Sequence, residues 1–254
     1  TSPTINEESE GDPSSFMREP ATLDLTNCII RGPVNFLRAT PTQQIKATWR
    51  NGLFASSDWF LQLPSIMGIS ADADQTVNAI DSPISLTVEL QQLVVSAAPG
   101  ILRVYNDTIS STRGLPPVID FTMAKSIFVL SPGNSIVEID QIATSEELRY
   151  RPTMRGSNNC YQNTRLMLIE HDRDDIMQTM QLTFDELTVD SDPFQDNDWF
   201  QQQNILSSSS ITWQATPVPP ITTPDYLQAP HHYQLLDYQP GSPGFDYQLL
   251  PVIE

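Results

Sequence analysis

Short alternating runs of apolar and polar residues dominate the middle of the chain. In "ISLTVELQQLVVS", Ile84, Leu86, Val88 and Leu90 share one face of an extended strand, and Leu93 and Val95 resume the pattern after a slip. A one-residue slip would turn the later side chains to the opposite face, so a bulge is expected near Gln91 and Gln92. "MQLTFDELTVD" behaves alike: Met180, Leu182 and Phe184 alternate, and Leu187 and Val189 resume after Asp185 and Glu186. "IDFTMAKSIFVL" gives Ile119, Phe121 and Met123, then Ile127 and Val129. "GILRVYND" puts Ile101, Arg103 and Tyr105 on one face and Leu102 and Val104 on the other. "LTNCIIR", "IKATWR", "DWFLQL", "SIVEIDQI", "TRLMLIEHD" and "SITWQATPV" are further strand candidates. Strands at this spacing predict a sandwich or barrel.

Helical periodicity is weak. The best candidates are "SEELRY" at 145–150, where Thr144 suits an N-cap with Glu146 and Glu147 in the first turn, and "DNDWFQQQNI" at 196–205. Neither supports alternating strands and helices. The pattern predicts an all-β fold, an antiparallel two-sheet sandwich with long loops and two extended arms. Residues 1–24 read as a polar N-terminal arm, 25–216 as the sandwich and 217–254 as a Pro- and Tyr-rich C-terminal tail.

Composition supports the β reading and narrows the chemistry. Of 254 residues, 21 are Pro and only 10 Gly, against typical usage of about 5% and 7%. Net charge is −18, with 31 acids to 13 bases, and Arg173 is the last basic residue. Such a surface repels phosphate, so direct nucleic-acid binding is not expected. Arg149, Arg151 and Arg155 form the one basic group, which reads as a solvated loop. Cys28 and Cys160 fit two buried thiols in a reducing compartment, with one long-range bridge left open. No apolar run approaches the roughly 18 residues of a membrane helix, and the acidic N-terminus is no signal peptide.

No catalytic constellation emerges, and no catalytic, cofactor or metal residue is assigned. His171 sits beside Asp172, Asp174 and Asp175 and reads as an exposed loop residue. Asp190, Asp192, Asp196 and Asp198 offer a weak calcium reading but match no EF-hand loop, so solvated loops are favoured. The adjacent His231 and His232 point apart in an extended chain and make a poor zinc site. Asn106 begins a glycosylation sequon without a secretory signal.

The tail carries the remaining signal. It holds Tyr226, Tyr233, Leu235, Leu236, Tyr238, Phe245, Tyr247, Leu249, Leu250, Val252 and Ile253, with Tyr-Gln-Leu-Leu occurring twice. Disordered tails are poor in such residues. Burying one Tyr or Leu contributes about 1.5–3 kcal/mol, while ordering a residue costs about 1–2 kcal/mol. Several anchors per ten residues can tip that balance on a partner, by strand addition or in a groove.

"GILRVYNDTISSTRGLPPVIDFTMAKSIFVLSPGNSIVEID" resembles the strand–loop–strand stretch of picorna-like insect virus coat proteins. A chain ending in Glu254 is similar to a polyprotein product cut by a viral 3C-like protease. The resemblance implies a jelly-roll β-sandwich, a structural coat protein of a non-enveloped icosahedral virion assembled in the host cytoplasm, and partners in sister capsid proteins and copies of itself. It implies no catalytic residue. The stretch lies nearer the middle of the chain than that family leads one to expect. The alternative expectation is a carbohydrate-binding or adhesion β-sandwich module, with Trp49, Trp59, Trp199 and Trp213 available to stack on a glycan.

Overall fold

The structure, a computed structural model, describes residues 20–38, 44–64, 66–67, 85–97, 99–105, 114–115, 118–140, 152–162, 166–171, 179–182, 200–207, 209, 211–214 and 230–251. The described residues are strands and connections, with short 3-10 turns at Pro230–Tyr233 and Tyr247–Leu249. The strands are β1 (Ala21–Arg31), β2 (Leu37–Arg38), β3 (Ile45–Ser56), β4 (Leu61–Pro64), β5 (Ile66–Met67), β6 (Ser85–Ala97), β7 (Gly100–Tyr105) and β8 (Gly114–Leu115). They continue with β9 (Val118–Ala124), β10 (Ile127–Val129), β11 (Ser135–Asp140), β12 (Thr153–Ser157), β13 (Cys160–Gln162), β14 (Leu166–His171), β15 (Thr179–Leu182) and β16 (Phe200–Gln203).

Two sheets hold most of these strands, so the all-β, two-sheet expectation stands. An eight-stranded sheet has the order β1-β3-β6-β9-β12-β16, with β10 between β6 and β13; a six-stranded sheet runs β15-β14-β11-β7-β4-β2. The expected antiparallel jelly-roll pairing is not what these strands adopt. β1 lies parallel to β3, with Ala21 opposite Ile45 and Arg31 opposite Ala55. β3 is parallel to β6, β6 to β9 and β10, and β12 to β9 and β16. The second sheet repeats this through β2, β4, β7, β11 and β14. Among the described strands, β14 with β15 and β5 with β8 pair antiparallel.

Each passage through both sheets is therefore one coil, and successive coils stack as a parallel β-solenoid. Parallel neighbours need a long crossover, and a whole coil supplies it. Short connections carry the chain from one sheet to the other, as between β6 and β7. Alternation specifies which face is buried but not the direction of the neighbouring strand, so sequence pattern could not separate the two plans.

The alternation slips have a single cause. Asn27, Asn51, Gln92, Lys125, Asn158 and Asn204 are left-handed, with φ between 51° and 56°. The strand registers place them in one line down the solenoid. Each is a corner, not the bulge expected at Gln91 and Gln92: it turns the strand and resets the alternation, so Leu90 and Leu93 both point inward. Asn dominates this line because its short amide tolerates the left-handed region better than other side chains with a Cβ. Asn51 Nδ2 also donates to Asn27 Oδ1 at 2.8 Å, tying one corner to the next.

Inward residues form columns. Ala47, Val88, Phe121 and Met154 stack before the corner, and Phe54, Val95, Phe128 and Tyr161 after it. Phe36 stacks on Trp49 and Phe60 at centroid distances of 5.1 and 4.7 Å. Packing is tight enough to exclude a methyl group: a Cβ on Gly52 would strike the Trp49 indole, and one on Gly156 the Met123 carbonyl. The helix expected at 196–205 is replaced over Phe200–Gln203 by β16, because pairing with β12 satisfies its backbone. The helix candidate at 145–150 lies outside the described residues.

Candidate functional site

The corner line divides the outer surface of the larger sheet into two flanks of opposite character. Before the corner, the outward positions are polar. Thr22 is followed down the stack by Lys46, Thr87, Asp120 and Thr153, and Asp24 by Thr48, Glu89, Thr122 and Arg155. A cleft of about 520 Å3 opens here over the first coils, between Asp24, Lys46, Arg50 and Glu89, with Thr48 at its floor. Lys46 Nζ meets Glu89 Oε1 at 2.9 Å, and Arg155 lies 3.9 Å from Asp120. Thr153 Oγ1 donates to Asp120 Oδ1 at 2.9 Å. Asp24 and Arg50 have no ion-pair partner among the described residues. Three acids (Asp24, Glu89, Asp120) balance three bases (Lys46, Arg50, Arg155) on this flank, in a chain whose net charge is −18.

After the corner, the outward positions are apolar. Ile29, Leu53, Val94, Ile127, Cys160 and Leu206 line up, and a second hydrophobic cluster forms over them. Tyr233, Phe245 and Leu250 complete that cluster at 1%, 3% and 7% exposure. The C-terminal segment is thus a strap across the stack. Trp213 and Leu235 form an antiparallel bridge, and Trp213 Nε1 donates to Gln162 Oε1 at 3.2 Å. Gly244 N donates to the Lys125 carbonyl at 2.8 Å, and Gln92 Nε2 to Tyr238 OH at 3.4 Å. Asp246 N donates to Asn51 Oδ1, and Asn51 Nδ2 donates to the Asp246 carbonyl at 3.3 Å. The strap therefore reads the corner line itself, at Asn51, Gln92 and Lys125.

This distribution bears on the expected partner-binding residues. Tyr233, Phe245 and Leu250 are spent on the chain's own sheet, with Leu235 packed beside them. Tyr238 is half-buried; burial, and then the Asp246 charge, push its hydroxyl pKa up, against the Gln92 hydrogen bond. Leu236, Tyr247 and Leu249 are exposed at 57%, 38% and 56%. Tyr226, Val252 and Ile253 lie outside the described residues, as do Asp190, Asp192, Asp196, Asp198, Arg149, Arg151, Trp199 and Asn106. Sequence reading missed both the corner line and the polar flank. The signal was there: Asn27, Asn51, Asn158 and Asn204 each mark a break in alternation.

The two thiols are free and not bridged. Cys160 lies under the strap, and burial pushes its thiol up to about 11. Burial, then neighbouring Cys160, push the Tyr161 hydroxyl up as well. Trp49 and Trp59 are in the core, and Trp213 is half-buried, so none offers an open stacking platform. His171 ends β14, and His231 and His232 lie in the turn Pro230–Tyr233. Among the described residues no group of three or more His, Cys, Asp or Glu side chains is placed to hold a metal. No helix there is long and apolar enough to cross a membrane.

Fold and surface together define a strap-braced parallel β-solenoid with one balanced polar flank. Comparison with protein-family models, with curated proteins and with solved structures finds no match.

Proposed function

We propose that the chain is a non-catalytic binding module that engages a neutral polysaccharide along its polar flank. The observation that carries this reading is the charge balance and polarity of that flank in an otherwise strongly acidic chain. Sugar hydroxyls are both donors and acceptors. The cleft offers both, through the carboxylates of Asp24 and Glu89 and the cations of Arg50 and Lys46. Recognition is by hydrogen bonds and not by ring stacking, because Trp49, Trp59 and Trp213 face elsewhere. Glycan arrays and co-sedimentation with insoluble polysaccharides test it on the purified chain. Arg50→Ala and Asp24→Ala each weaken binding about tenfold or more, the worth of a charge-assisted hydrogen bond. Failure to bind any neutral glycan overturns the proposal.

A second reading, a structural subunit of a larger assembly such as a virus coat, is favoured by the exposed Leu236, Tyr247 and Leu249 on the strap. It is weakened by the burial of Tyr233, Phe245 and Leu250 against this chain's own sheet. Negative-stain microscopy of native material separates the two, since only an assembly subunit is found in particles.

A further inference from the structure

We propose that the first coil is a self-association surface, on which a second copy of this chain pairs edge to edge and antiparallel along β1. Among the described residues β1 is hydrogen-bonded on one side only, to β3. A long strand with a free row of N–H and C=O groups is a template for another strand. The core is also unfinished at this end. Leu23, Leu25 and Ile30 point inward yet are only half-buried, whereas Ala47, Trp49 and Phe54, beside them in the next coil, are fully buried. The opposite end closes with polar groups. Asn159 Nδ2 donates to Gln202 Oε1 at 2.8 Å, and Gln202 Nε2 donates to the Met154 carbonyl at 3.3 Å. Solenoids need polar caps to stay soluble, and the first coil lacks one among the described residues.

The register of pairing follows from the corner. Asn27 resets the alternation, so the inward positions are Leu23, Leu25, Cys28 and Ile30, and the outward ones Asp24, Thr26, Ile29 and Arg31. A two-fold axis between Asn27 and Cys28 sets Leu25 opposite the partner's Ile30 and Asp24 opposite the partner's Arg31. Symmetry then repeats both pairs. Inward meets inward, so the two cores become continuous, and an acid meets a base on the outer surface. Moving the register by one residue sets inward against outward positions along the strand. Charge complementarity selects this register among those that keep the faces matched, and it favours a second copy over an unrelated chain.

Sedimentation velocity and light scattering of the full chain test the proposal, with maleimide labelling of Cys28, which the dimer covers beside the axis. A dimer is expected, with Cys28 protected from maleimide as protein concentration rises. Asp24→Arg and Arg31→Asp each weaken it about tenfold or more, because each creates two like-charged contacts at once. The double variant Asp24→Arg with Arg31→Asp restores it. Thermal melting checks that each variant folds, and if one does not, Cys28 protection in the wild type still decides. A chain that stays monomeric overturns the proposal and leaves the edge to a different partner. A dimer that leaves Cys28 as reactive as in the dilute chain, or ignores both reversals, overturns it equally. The inference shares Asp24 with the glycan reading, but Arg31 is not in the cleft, so Arg31→Asp separates loss of the dimer from loss of glycan binding.

Discussion

Asn51 is where three parts of the molecule meet, and its replacement has a cost that can be worked out. Its amide donates to Asn27 Oδ1 at 2.8 Å and accepts from Asp246 N, with a weaker contact of 3.3 Å to the Asp246 carbonyl. The residue is 7% exposed with φ of 53°. In Asn51→Ala the two good hydrogen bonds are lost, each worth about 1 kcal/mol net. Asp246 N–H is left short of its partner, for about 1 kcal/mol more. Alanine in the left-handed region adds about 1–2 kcal/mol. The expected loss is about 4 kcal/mol, a large share of the roughly 5–15 kcal/mol that holds a domain together. Asn51→Gly removes the same hydrogen bonds but not the backbone preference, and should cost about 1 kcal/mol less. Urea unfolding followed by circular dichroism gives the totals. Hydrogen exchange over residues 244–250 shows whether the strap opens before the coils do. If Asn51→Ala unfolds within about 1 kcal/mol of wild type with strap protection unchanged, the account of the corner line is wrong.

Other expectations follow from the same geometry. Lys125→Asn should raise the urea midpoint, by about 0.5–1 kcal/mol, since Lys125 is left-handed without the tolerance of Asn. Gly156→Ala should lower it by at least about 1–3 kcal/mol, because the new methyl meets a backbone carbonyl and not a movable side chain. In the dilute, dissociated chain Cys28 should react with maleimide, and Cys160 only once the strap opens; equal labelling rates there would show that the strap does not cover Cys160. The Cys160 thiol is raised from 9.0 to about 11. Between those values the unfolded chain releases a proton that the folded chain keeps, so stability falls as pH rises through this window. Cys160→Ala should make that fall shallower, as read from melts at pH 8, 9, 10 and 11 against wild type.

Much of the strand content was legible, because half-buried strands advertise themselves by period. The stretches "ISLTVELQQLVVS", "GILRVYND", "IDFTMAKSIFVL" and "IKATWR" overlap, over most of their length, the strands Ser85–Ala97, Gly100–Tyr105, Val118–Ala124 with Ile127–Val129, and Ile45–Ser56. What pattern could not convey was direction. Leu86, Val88 and Leu90 bury the same face whether the neighbour runs up or down. The slip at Gln92 was visible but ambiguous, since a bulge and a left-handed corner disturb the period alike. Comparing slips would have separated them. Gln92, Lys125 and Asn158 follow at a common spacing, the 33 residues that also part Leu93 from Ser126 and Ser126 from Asn159. Bulges have no reason to recur so regularly, whereas coils do. The apolar side chains of the tail were visible in the sequence, but they do not say whose surface they fit, and Tyr233, Phe245 and Leu250 lie against the chain's own sheet. The polar flank was illegible because Asp24, Lys46, Arg50 and Glu89 come together only through the stacking of coils.

The strap also sets the order in which the molecule can be completed. Neighbouring coils are joined by contacts of modest separation, 24 residues between Asn27 and Asn51. The contact from Asn51 to Asp246 spans 195 residues. Coils can therefore grow one upon another as the chain leaves the ribosome, while the apolar row at Leu53, Val94 and Ile127 lacks the cover of Tyr233, Phe245 and Leu250 until those residues are made. At about 5–20 residues per second, that row stays bare for on the order of ten seconds. A chain cut short before Asp246 would carry a stack of coils with an adhesive flank. Arrival of the strap is thus recorded on the folded surface, as the disappearance of that flank.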